Sequence, residues 1–208
     1  MPHDGVMAKL PAVLGTDDLP LAELCAARLD GELFGIDGAW TPVDEPDVPG
    51  FRAAVVARRA PRALIVERLS AAWVHGALDA PPPLAQFCVP ADSRVALVDA
   101  PGCVIREVRI DDADIVQLNG IDCTGVVRTA FDVLRDPSVT DEAAIPVVAA
   151  LLDANPGTAA AVRERLGRAT RMPHKSTALA RLDLAQHRVD AGGLGDLEGP
   201  AAQPSLTR

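Results

Sequence analysis

The sequence predicts an α+β protein: a partial winged-helix unit at the N-terminus, a central antiparallel sheet with helices, and a helical C-terminal region. Three observations predict it. An Asp37-Gly38 pair separates two short apolar runs, the signature of a tight hairpin. Residues 84–118 hold several β-rich runs bounded by turn residues. After residue 124 apolar residues recur at helical rather than alternating spacing.

The elements follow in order. Pro20 to Arg28 reads as a helix with proline at its first turn, where the missing N–H costs nothing. Glu32–Ile36 and Ala39–Val43 are the hairpin strands. A helix followed by a hairpin is the closing part of a winged helix, and too few residues precede Pro20 for the full three-helix unit. The segment 44–50, DEPDVPG, is a linker by composition. Phe51–Arg59 is helical and ends before Pro61, whereas Ala63–Val66 is too short to assign. Arg68–His75 is a helix stopped by Gly76 at the position after its C-cap, with Trp73 on its apolar face.

Pro81 to Pro83 forbid helix and open an extended region. Leu84–Val89, Arg94–Val98, Cys103–Ile110 and Ile115–Leu118 read as strands, and Asn119-Gly120 as a turn. Thr124 is the expected N-cap of a helix over Gly125–Arg135. Three more helices are expected at Ala143–Leu152, Ala159–Ala169 and Ser176–Val189, the last capped by Ser176. From Asp190 the composition is Gly/Pro/Ala-rich and predicts a disordered tail. The domain boundaries implied are 1–48 for the truncated winged-helix unit, 49–138 for an α+β domain, 139–189 for a helical extension and 190–208 for the tail.

Charge narrows the function. The chain has 20 basic against 29 acidic residues, a net charge of −9, which argues against general nucleic-acid binding through the overall field. The distribution is uneven: residues 17–50 hold nine acids and one base, Arg28. Two segments are locally basic. One carries Arg52, Arg58, Arg59 and Arg62, the other Arg163, Arg165, Arg168, Arg171 and Lys175. These ten positions, Arg28 included, are the candidate DNA- or partner-binding residues. A solvated charged face is the competing explanation for both segments.

A search for chemistry finds no catalytic residues. Ser70 and His75 lie five residues apart on one helix, which turns them about 140° from each other and prevents a local Ser–His pair. Asp111, Asp112 and Asp114 match no calcium-loop spacing and read as an acidic turn. Cys25, Cys88, Cys103 and Cys123 lack zinc-ligand spacing and read as buried reduced thiols. No nucleotide-binding or zinc-protease motif is present, so no enzyme, cofactor or metal is expected. No signal sequence or membrane span is expected either, and the cytoplasm is the default location.

Several segments together resemble one family. GELFGIDGAWTPV resembles the wing of AbiEi-type antitoxins, transcriptional regulators of type IV toxin–antitoxin systems. LIVERLSAAWVHGAL resembles their S-A-A/L-x-x-H-G element, here Ser70, Ala71, Ala72, His75 and Gly76. IDCTGVVRTAFDVLR resembles their T-x-x-x-R-T-x-x-D-L element, here Thr124, Arg128, Thr129, Asp132 and Leu134. PGTAAAVRERLGRATRMPHKSTALARL resembles the helical tail of actinobacterial members. The resemblance implies a non-enzymatic regulator whose winged helix binds operator DNA and whose C-terminal domain acts in autoregulation or against a nucleotidyltransferase toxin. It also implies that Ser70, Trp73, His75, Gly76, Thr124, Arg128, Thr129 and Asp132 are structural. The alternative is a relative that keeps the scaffold as a protein-interaction module without DNA binding. No membrane or small-molecule partner is expected.

Overall fold

The computed structural model describes residues 11–60, 64–92, 100–170 and 172–195. The N-terminal unit is small. Helix α1 (Leu21–Leu29) is followed by the hairpin β1 (Leu33–Ile36) and β2 (Ala39–Pro42). Asp37 and Gly38 both take positive φ, 48° and 78°, the mirror-image turn that suits the right-handed twist of paired strands. Leu14 adds a third, single-residue bridge to Trp40 through two backbone hydrogen bonds of 2.7 and 2.9 Å. Leu14, Leu24 and Leu33 form the buried centre of this unit. Residues before Pro20 thus contribute to the hairpin rather than to further described helices.

Helices α2 (Pro49–Ala57) and α3 (Arg68–Val74) flank the short strand β3 (Ile65–Val66). Strands β4 (Ala85–Pro90), β5 (Cys103–Val108), β6 (Ile115–Leu118) and β7 (Ile121–Thr124) complete a sheet of order β5-β4-β3-β7-β6. The α+β class holds, but the sheet is mixed rather than antiparallel. β4 pairs parallel with β5 and β3 pairs parallel with β7, while β3–β4 and β6–β7 are antiparallel. Among the described residues, the tight hairpin of this sheet is at Asn119-Gly120, again with positive φ at both residues, 53° and 81°. The expected strand Arg94–Val98 lies outside the described residues.

The C-terminal part holds α4 (Val126–Leu134), α5 (Asp141–Ala154), α6 (Thr158–Arg168) and α7 (Lys175–Gly195). Phe131 and Leu134 of α4 share one apolar cluster with Val148, Leu151, Leu166 and Leu182, and Ala72 of α3 joins it. A boundary at 138/139 therefore does not separate two cores. A second cluster joins α2, α3 and the sheet through Phe51, Val55, Trp73, Phe87 and Cys123.

Three local expectations are corrected. Thr124 ends strand β7 and is not the α4 N-cap, which is Gly125 with no side-chain cap. Ser176 lies inside α7, which begins one residue earlier at Lys175. Helix α7 also continues to Gly195, past Asp190 where a disordered tail is expected. Residues 196–208 of that tail lie outside the described residues.

Candidate interaction surface

The candidate arginines come first. Arg52 on α2 is held by a bidentate pair with Asp47 at 2.6 and 2.6 Å. It also donates to the Trp73 carbonyl at 2.8 Å and lies 5.3 Å from the Trp73 ring centroid. Arg58 pairs with Asp18 at 3.0 Å and Asp17 at 3.7 Å. Arg59 pairs with Asp37 at 3.2 Å and donates to the carbonyls of Pro83 and Gly102 at 2.7 and 2.9 Å. These three arginines fasten the acidic N-terminal unit and the sheet to α2. They do not form a shared outward face.

The C-terminal set is also paired, but Arg163 and Arg168 hold exposed surface pairs. Arg163 pairs with Asp183 across α6 and α7 at 2.7 Å, and Arg168 with Glu164 along α6 at 2.5 Å. Arg165 embraces the Asp114 carboxylate and stacks 4.9 Å from the Phe131 centroid. Lys175 donates to the Gly167 and Ala169 carbonyls at 3.1 and 2.9 Å, satisfying the C-terminal end of α6. Arg28, in the last turn of α1, is exposed and makes no ion pair among the described residues. Arg62 and Arg171 lie outside the described residues.

The residues of the family-like elements are internal ties. The Ser70 hydroxyl accepts the Gln86 N–H at 2.9 Å, fixing α3 to β4. Trp73 is buried between α2 and the sheet. Gly76, at φ +85°, closes α3: its N–H reaches the Trp73 carbonyl at 3.0 Å and the Ala77 N–H the Ala72 carbonyl at 2.9 Å, the paired bonds of a Schellman cap. His75 Nε2 donates to the Thr124 carbonyl at 2.7 Å, joining α3 to β7. Burial holds the imidazole below its ordinary pKa, and the Thr124 carbonyl offsets only part of that. Thr124 and Thr129 share a hydroxyl–hydroxyl bond of 2.7 Å. Arg128 donates to Asp132 at 2.7 Å and to Asp114 at 2.8 Å.

Sequence reasoning overlooked the centre of this network. Glu67, at the N-cap position of α3, is 1% exposed and takes a bidentate pair from Arg106 of β5 at 2.6 and 2.5 Å. Burial pushes the Glu67 carboxyl up, opposed by Arg106 and then Arg68. Arg68 reaches Asp136 at 2.8 Å. Burial also works to raise the Asp114 carboxyl, but Arg165 and Arg128 outweigh it and hold it below its ordinary value. Arg181 of α7, 6% exposed, donates to Asp141 and to the carbonyls of Leu134, Asp136 and Val139. Glu67, Asp114, Asp132 and Asp136 face Arg68, Arg106, Arg128 and Arg165, four charges against four. They fall into two groups, Glu67 and Asp136 with Arg68 and Arg106, and Asp114 and Asp132 with Arg128 and Arg165, each with two acids against two bases. The mixed alternation of β5, where Arg106 interrupts apolar positions, was the available signal.

Of the cysteines, Cys88 and Cys123 are buried as expected. Burial pushes the Cys123 thiol up to about 12, and Cys88 is raised further by burial and by Glu67. Cys25 is exposed on α1 and Cys103 is only half-buried, both contrary to expectation. Asp111 and Asp112 are exposed, and among the described residues no cluster of His, Cys, Asp and Glu has the geometry to hold a metal ion. Among the same residues no helix is long and apolar enough to cross a membrane.

Several open concave surfaces remain, and one of them combines aromatic side chains with carboxylates. A groove of about 410 Å³ lies between the β1–β2 hairpin, α2 and the segment after α3. Phe34, Ile36, Trp73 and Pro81 give it an apolar floor, and Asp37, Glu45, Asp47 and Asp79 line it with carboxylates.

These features define an α+β protein in which most of the candidate basic side chains, among the described residues, are paired within the fold. No protein-family model matches the chain, and no curated protein matches it. Among solved structures, the chain is similar to the RV2827C protein from Mycobacterium tuberculosis, with a TM-score of 0.44 and 16% identity over 93% of this chain and 79% of that one.

Proposed function

We propose that this protein is a non-enzymatic regulator on an AbiEi-like scaffold that acts through protein contacts rather than by gripping DNA. One observation carries the reading: every described candidate base except Arg28 has a partner in the fold, and Arg52, Arg58, Arg59 and Arg165 are held in partly buried pairs. DNA affinity comes mainly from Lys and Arg that neutralise phosphates, and an arginine held by a carboxylate must give up that pair first. Helix α1 adds support. It precedes the hairpin, where a winged helix carries its recognition helix, yet its outer surface presents Leu21, Cys25 and Leu29 beside a single arginine. Leu29 is 88% exposed.

The partner class that the family resemblance suggests is a nucleotidyltransferase toxin. The test runs two assays on the full chain. A mobility-shift titration with its own promoter at low salt, where electrostatic binding is strongest, is expected to give no specific shift. Co-expression with a nucleotidyltransferase encoded beside it is expected to give a co-purifying complex. A promoter shift that weakens steeply with salt would establish the DNA-binding form instead.

A further inference from the structure

The groove between the hairpin and α2 combines an apolar floor with a rim of carboxylates. Its floor is aromatic and aliphatic, and Phe34 is 39% exposed there although it belongs to a short strand in a small unit. Of its four carboxylates, Asp37 is matched by Arg59 and Asp47 by Arg52. Glu45 and Asp79 make no ion pair among the described residues. Arg52, the cation lining the groove among the described residues, is bound by Asp47 and by the Trp73 carbonyl, and Asp79 lies close enough to interact with its charge. The groove therefore offers apolar area edged by net negative charge.

The geometry points to this groove as the docking site for a basic, apolar segment of a partner protein: leucine-like side chains on the floor formed by Phe34, Ile36 and Pro81, and lysine or arginine side chains against Glu45 and Asp79. The inference rests on the protein-contact reading above and names the partner's chemistry. Charge complementarity selects this occupant. A nucleic-acid phosphate would meet carboxylates. A second copy docked groove to groove about a two-fold axis would bring these acids together. An apolar floor with charges at the rim gives affinity at the centre and selectivity at the edge.

The experiment uses the full chain, isotope-labelled for amide NMR, titrated with the synthetic peptide KLLKKLLKKLLK and with its counterpart in which every lysine is glutamate. The basic peptide is expected to shift the Trp73 indole signal and the amides of Phe34, Ile36 and Asp79, and the acidic one to leave them in place. The double variant Glu45→Gln/Asp79→Asn is expected to bind about tenfold more weakly, as the loss of two exposed charge pairs at the rim requires. Glu142→Gln/Asp153→Asn, which removes two exposed acids from α5, is expected to leave binding unchanged. Phe34→Ala weakens binding independently of charge. The inference is overturned if the basic peptide does not bind, if the shifts map elsewhere, or if both double variants weaken binding equally. It is also overturned if the same amides shift with protein concentration alone, which would make a second copy the occupant. Any of these results with promoter DNA still unbound leaves the protein-contact reading standing; a promoter shift removes both.

Discussion

Glu67 has a side chain 1% exposed and depends on Arg106 for both of its hydrogen-bonded oxygens. Removing one partner of a buried pair leaves an uncompensated charge, which costs far more than the pair contributes. Arg106→Leu is expected to destabilise the fold by about 3 kcal/mol, at the lower end for such pairs because Arg68 remains 3.8 Å from Glu67. Arg168→Ala, which breaks an exposed pair along α6, is expected to cost under about 0.5 kcal/mol. Urea unfolding of the two variants distinguishes an internal tie from a surface decoration. His75 gives a pH-dependent counterpart. Its folded pKa lies below the ordinary 6.5, so the neutral ring favours the folded state. That contribution is full above pH 6.5 and is lost as pH falls from there through the folded pKa. His75→Gln is expected to flatten this limb of the stability–pH curve, measured by thermal melts across the acidic range.

At the scale of elements, two glycines carry opposite expectations. Gly76 closes α3 at φ +85°, and an added Cβ would meet only Arg52 Nη1 at 4.0 Å, so Gly76→Ala costs about 1 kcal/mol through backbone conformation rather than crowding. Gly167 lies within α6 with open space around it, and Gly167→Ala is expected to stabilise by about 0.5–1 kcal/mol. Thermal melts read both signs. The same contrast shows what the sequence made legible. Gly76 as a helix stop, Asp37-Gly38 as a hairpin turn and the α4 stripe of Val127, Phe131 and Leu134 are local signals, and local geometry decides them. Strand β7 was missed because Ile121-Asp122-Cys123-Thr124 shows no clean alternation, although the Asn119-Gly120 turn before it required a partner for β6. The parallel pairings of β3 with β7 and β4 with β5 join segments far apart in sequence or across long connections, and no local pattern encodes them. The arginine clusters were visible as clusters, but most of their partners, Asp17, Asp18, Asp37 and Asp114, come from distant segments, whereas Asp47 lies only five residues before Arg52.

At the scale of the whole molecule, the net charge of −9 and the internal pairing of the arginines act in the same direction. The acidic N-terminal unit is not an accident of composition beside a basic domain; Arg52, Arg58 and Arg59 draw its carboxylates onto α2. A nucleic acid would have to compete with those pairs, and the acids left unpaired would repel it. The central claim is that the basic residues serve the fold. Titration of the full chain with its own promoter duplex at about 50 mM salt tests it most directly, because phosphate contacts are strongest there and each one adds to the salt slope. The account predicts no specific shift, with any residual binding independent of promoter sequence. A specific complex whose affinity falls steeply between about 50 and 200 mM salt, and falls further on replacing Arg58 and Arg163 by alanine, would contradict it.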